Sequence, residues 1–171
     1  MLSCIHTVMA VRGSVSATGE ETPGWGPPLV ALYRQRYVGF VRLAYLMTGN
    51  RDAAQDIVQD SFVAASRSWD RERDPEPYVR TIVVNGCRAW ARRQRLERRH
   101  SPAPDQVDAA AADELWDALD SLKPRQRAAI VLRFYGDLAD DEIGRLLDCR
   151  PATVRTAIHR ALRQLRREIP R

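Results

Sequence analysis

The stretch that decides the fold is LADDEIGRLLDCRPATVRTAIHRALRQLR, residues 138–166. Its apolar residues follow two separate helical registers. Ile143, Leu146 and Leu147 give a first short helix one apolar face, and Gly144 marks a close approach to a neighbouring helix. Leu147-Asp148-Cys149-Arg150 then forms a tight turn. Pro151 and Thr153 open a second helix, since proline is tolerated in a first turn. Val154, Ile158, Leu162 and Leu165 fall on one stripe of that helix. Arg155, Thr156, His159, Arg160 and Arg163 fall on the opposite face. Two helices, a short turn and a basic outward face are the pattern of a helix-turn-helix, whose second helix enters a major groove. Arg155 and Arg160 suit guanine edges or phosphates, and Thr156 and His159 can add hydrogen bonds. The plainer alternative is a helical hairpin with a solvated basic face. Asp148 stands where glycine would be easiest. Aspartate tolerates the left-handed region better than most residues, so the turn remains feasible.

The rest of the chain is helical as well. Leu29, Leu32, Tyr33, Phe40, Val41 and Ala44 keep helical spacing from residue 28 to Met47, and Thr48-Gly49-Asn50 provides a stop and a new cap. A second helix is predicted over Arg51–Trp69, with Ala54, Ile57, Val58, Phe62 and Ala65 on its apolar side. Asp70–Pro77 reads as a charged loop, and a third helix starts near Pro77. The β-branched run Thr81–Val84 has strand character, but its helical surroundings argue against a strand. After a short amphipathic segment, Asp113–Leu119, helices are predicted over Pro124–Phe134, Ala139–Leu147 and Pro151–Arg167. The fold class is therefore all-α, as two small helical domains joined by a flexible linker. The expected boundaries are a disordered tail over 1–27, a first domain over 28–100, a linker over 101–112 and a second domain over 113–171. The tail is rich in Gly, Ser, Thr and Pro, and the linker SPAPDQVDAAAA has two prolines and no aromatic residue.

Composition narrows the function. The 171 residues carry 27 basic and 22 acidic side chains, a net charge of +5. Lys123 is the only lysine, so nearly all the cations are arginines, which bind phosphate and guanine in bidentate fashion. A GC-rich genome explains that bias equally well, so position has to decide. Six arginines fall within residues 88–99 and seven within 150–171, with an acidic run from Asp105 to Asp120 between them. Arg88, Arg92 and Arg93, with Trp90 interleaved, suit a duplex backbone or a single strand. A solvated helix end with cations at its C-terminus would look similar. Asp52, Asp56, Gln59 and Asp60 form an acidic-polar edge, read either as plain surface or as a docking edge for a basic partner.

Enzyme chemistry finds no foothold. No nucleophile elbow, zinc-binding helix, phosphate-binding loop or dinucleotide fingerprint occurs. Cys4, Cys87 and Cys149 are odd in number and widely spaced, and His6, His100 and His159 make no ligand pattern. No catalytic residue, metal or cofactor is expected. No apolar run reaches the roughly 18 residues of a membrane span.

Taken in order, these parts resemble a bacterial RNA polymerase sigma factor of the extracytoplasmic-function type, in the sigma-70 family. DAAQDIVQDSFVAASRSW resembles the family's core-binding helix. PEPYVRTIVVNGCRAWARRQRLERR resembles its minus-ten segment, and residues 115–166 resemble its fourth domain. The arginine-rich wording looks actinobacterial. The resemblance implies a non-enzymatic initiation factor, cytoplasmic and associated with the nucleoid, that binds core RNA polymerase and promoter DNA and is often held by an anti-sigma factor. It places Asp56, Gln59 and Asp60 against the polymerase. It places Trp69, within a base-capturing loop over Trp69–Pro77, together with Asn85, Arg88, Arg92 and Arg93 at the minus-ten element. Arg155, Thr156, His159, Arg160 and Arg163 fall at the minus-thirty-five element. An autonomous helix-turn-helix regulator is the alternative function. A recombinase-like enzyme lacks the necessary cluster of reactive groups.

Overall fold

A computed structural model describes residues 25–70, 73–97 and 118–168, and within these no strand occurs. The expected helices are present. α1 spans Pro27–Thr48, α2 Arg51–Ser68 and α3 Pro75–Glu97. α4 spans Pro124–Ile130 and runs into a π-helical turn, Val131–Tyr135. α5 spans Asp140–Leu147 and α6 Pro151–Glu168. The Thr81–Val84 run lies inside α3. The expected tail, the 101–112 linker and most of the Asp113–Leu119 segment lie outside the described residues.

Local chemistry sets the helix ends. Gly49 closes α1 in the left-handed region, at φ 72°, and its N–H donates to Tyr45 O at 2.7 Å. Asn50 caps α2 by accepting from the Ala53 N–H at 2.8 Å. α3 begins at Pro75, two residues before the expected Pro77. The first N–H groups of a helix need no partner inside it, so two prolines fit in one first turn. Asp74 Oδ1 accepts from the Glu76 N–H at 3.0 Å and fixes that start. The expected Pro124–Phe134 helix does not stay regular: the Gly136 N–H bonds to Val131 O, five residues back, which widens its last turn.

α1, α2 and α3 pack on one another around Phe62, which is fully buried. Phe62 stacks on Trp25 with ring centroids 5.8 Å apart and meets the edges of Tyr33 at 5.1 Å and Phe40 at 5.9 Å. Burial raises the Tyr33 hydroxyl above its ordinary pKa, helped by Tyr37 beside it. Cys87 is also enclosed, and burial pushes its thiol up to about 12, so it is a small apolar core residue and not a thiolate. α4, α5 and α6 form the second unit around Leu132, Ile143, Val154 and Ala161. On α6, Val154 and Ala161 are the fully enclosed residues, while Ile158, Leu162 and Leu165 are only partly covered. Alanine at 161 lets the neighbouring helices come close and displaces the stripe from the one expected. The buried residues of both units join in one apolar cluster.

Candidate nucleic-acid interface

The C-terminal unit presents a built helix-turn-helix. Asp148 ends α5 in the left-handed region at φ 51°, as the turn requires. The Cys149 N–H donates to Gly144 O at 2.9 Å. A Cβ on Gly144 would lie 2.7 Å from the Cys149 carbonyl oxygen, so the tight approach is to the turn itself and not to a second helix. α6 then starts at Pro151, with the Thr153 and Val154 N–H groups returning to Arg150 O. Arg155, Thr156, His159, Arg160 and Arg163 are all exposed on α6. Asp140, at the start of α5, lies 3.7 Å from Arg155 and 3.8 Å from Arg133, and so orients Arg155 toward the N-terminal end of α6. The Thr156 hydroxyl donates to Ala152 O at 2.9 Å and keeps its acceptor side outward.

The first unit has a second such surface. Ser68, Trp69, Asp70, Arg73, Asp74, Pro77, Tyr78 and Thr81 line an open cavity of about 470 Å³ where α2 passes into α3. Among the described residues, the buried Trp69 Nε1–H finds no acceptor. Such an orphan donor is uncommon. It suits a ligand carrying an acceptor. Ser68 and Tyr78 hydroxyls meet at 2.9 Å on the rim. Tyr78, Thr81, Asn85, Arg88 and Arg92 follow one another at three- and four-residue steps, so the cavity and the arginines share one face of α3. Tyr78 and Thr81 are the lining residues that sequence reasoning missed. Stepping back one and two turns from Asn85 would have found them.

Asn85, Arg92 and Arg93 are exposed, whereas Arg88 is half-buried. Its Nη1 donates to Leu146 O at 2.8 Å and its Nη2 to Leu147 O at 3.3 Å. Asp56 and Asp60 are exposed one turn apart on α2. Gln59 between them is half-buried, with its Nε2 3.5 Å from the Tyr37 hydroxyl. Among the described residues no group of three or more His, Cys, Asp or Glu side chains could hold a metal, and no helix is long and apolar enough to cross a membrane.

An all-α chain with an arginine-faced helix beside a base-sized cavity and an exposed basic helix-turn-helix is a nucleic-acid-binding protein. Comparison with known proteins makes the class specific. The family "Sigma-70 region 2" matches residues 32–97 and "Sigma-70, region 4" matches residues 112–165. The ECF RNA polymerase sigma factor SigE of Mycolicibacterium smegmatis is 34% identical over 168 residues, 88% of this chain and 64% of that protein, so the match spans just under two thirds of that relative's length. The RNA polymerase sigma-E factor of Streptomyces avermitilis is 30% identical over 80% of this chain and 82% of its own. The sigma factor RpoE, solved in complex with the anti-sigma factor NepR from Bartonella quintana, shares the fold with a TM-score of 0.63 at 19% identity, covering 82% of this chain and 99% of that one. The chain belongs to the sigma-70 family of RNA polymerase sigma factors, in its extracytoplasmic-function group. The match over region 2 disfavours an autonomous helix-turn-helix regulator, which has no use for that half.

Proposed function

We propose that the chain binds core RNA polymerase, recognises promoter minus-ten and minus-thirty-five elements and directs transcription initiation, acting by binding alone and without catalysis. Residues 28–100 serve as the domain for core binding and minus-ten recognition. Residues 113–171 serve as the minus-thirty-five domain, and 101–112 join them. The observation that carries this reading is the continuity of the Trp69 cavity with the Asn85–Arg93 face. A base leaving the stack would find aromatic walls and an unused indole donor, while Asn85, Arg88, Arg92 and Arg93 follow the strand beyond it. Stacking and hydrogen bonding there offset an unstacking cost of a few kcal/mol. Arg155, Thr156, His159, Arg160 and Arg163 read the duplex upstream. Asp56, Gln59 and Asp60 face the polymerase. Anti-sigma partners known for relatives of this fold suit the same surfaces, and the place of action is the cytoplasm, at the nucleoid.

Two substitutions test the assignments separately. Arg160→Ala should weaken minus-thirty-five recognition by ~1–3 kcal/mol, with relaxed preference at one base pair, if its guanidinium grips a guanine. Competition binding with single-base promoter variants reads this. Equal weakening on every sequence would assign Arg160 to a phosphate. Asp60→Arg should lower affinity for core polymerase by about tenfold or more, since facing like charges cost several kcal/mol. Duplex binding by α6 should be intact. Unchanged core affinity in a fluorescence titration would remove Asp60 from the docking edge.

A further inference from the structure

The two units touch through contacts that the promoter function does not use. Leu146 O and Leu147 O are last-turn carbonyls of α5, which have no partner within the helix and lie at the negative end of its dipole. Arg88, reaching across from α3, satisfies both. Arg125, from α4, supplements this with Leu147 O at 3.4 Å and Asp148 O at 3.3 Å. On the other side, α1 packs on the π-helical turn. There the Tyr135 hydroxyl donates to Gly39 O at 3.3 Å, and the Arg42 guanidinium carbon lies 5.9 Å from the Tyr135 ring centroid.

We propose that these contacts form an intramolecular clasp holding the free chain in a closed resting state that cannot span a promoter. The inference rests on the promoter reading above. Arg88 cannot hold a phosphate and the α5 carbonyls at once, so closure withdraws it from the Asn85–Arg93 row. Reach is the second constraint. A packed body of about 120 residues has a radius of gyration of about 14 Å and is about 35 Å across. Elements centred near minus ten and minus thirty-five are about 25 base pairs apart, or about 85 Å of duplex at about 3.4 Å per pair. The closed chain cannot place α3 and α6 that far apart. The twenty residues 98–117 can extend to at most about 70 Å, so separated units can cover the distance. The α6 face remains exposed in the closed state, so closure leaves duplex contact by α6 sterically open and blocks simultaneous engagement of both elements.

The test uses the full chain with a donor and acceptor dye, placed through unnatural amino acids at exposed Gln35 on α1 and Arg166 on α6. Single-molecule energy transfer should show one high-transfer population for the free chain, shifting to low transfer when core polymerase and promoter DNA are added. Arg42→Ala combined with Tyr135→Ala, neither in the DNA or polymerase faces, should shift the free chain to low transfer with its helix content kept. Tyr135→Phe, which loses only the hydroxyl bond, should produce a smaller shift in the same direction. Low transfer in the free wild-type chain, or unchanged high transfer in the double variant, overturns the clasp. Promoter-specific transcription by a chain that is already extended when free would sink the clasp alone. A closed chain that supports no promoter-specific transcription would sink the promoter reading and, with it, the resting-state role.

Discussion

Phe62→Ala is expected to cost about 3–5 kcal/mol, the range for a fully buried aromatic cut back to a methyl group. A small helical unit of this size holds only a few kcal/mol in reserve, so most of the first unit should unfold near room temperature. The reason is local. Trp25, Tyr33 and Phe40 all close on the Phe62 ring, and none can move into the space without leaving its own neighbours. Thermal melting followed by circular dichroism should show an early transition in the variant, and Phe62→Leu should fall between it and the wild type. Core-polymerase binding should vanish with the fold, since Asp56 and Asp60 ride on the same helix. A melt indistinguishable from wild type would mean that the three-helix packing around Phe62 is wrong.

Gly144→Val carries the second large effect, and it falls on the other unit. The new Cβ would sit 2.7 Å from the Cys149 carbonyl oxygen, a backbone atom that can yield only by opening the turn. Overpacking of this sort costs about 1–3 kcal/mol. The β-branched side chain adds a second clash in a site already buried. The turn sets the angle between α5 and α6, so duplex recognition by Arg155 and Arg160 should be lost together. Core binding through α2 should survive. Gly144→Ala should show the same pattern more weakly. Retained sequence-specific duplex binding by Gly144→Val would show that the turn tolerates a wider geometry.

The helix-turn-helix was legible in sequence because its information is local. Apolar spacing, Pro151 and a residue able to take φ 51° at Asp148 lie within thirteen positions of one another. The stop at Gly49 and the cap at Asn50 were legible for the same reason. The start of α3 was placed two residues late, since either proline satisfies a first turn and only the Asp74 cap selects Pro75. The π-helical turn left no trace in the apolar pattern. It arises where the chain adjusts between Leu132, held in the core, and Leu138, whose N–H returns to Leu132 O. The cavity around Trp69 was read only as a loop, because Tyr78 and Thr81 belong to it through helical phase and not through composition. Arg88 illustrates the remaining gap. Its place on a basic face could be read from spacing, but its bonds to Leu146 and Leu147 join residues 58 and 59 positions apart, which no local pattern encodes.

Promoter-directed initiation is tested most directly by run-off transcription with purified core polymerase and a genomic template library. The full chain should generate discrete start sites that core polymerase alone does not, each preceded by a shared pair of upstream elements, and Asp60→Arg should abolish them. Transcripts identical with and without the chain would contradict its role as an initiation factor.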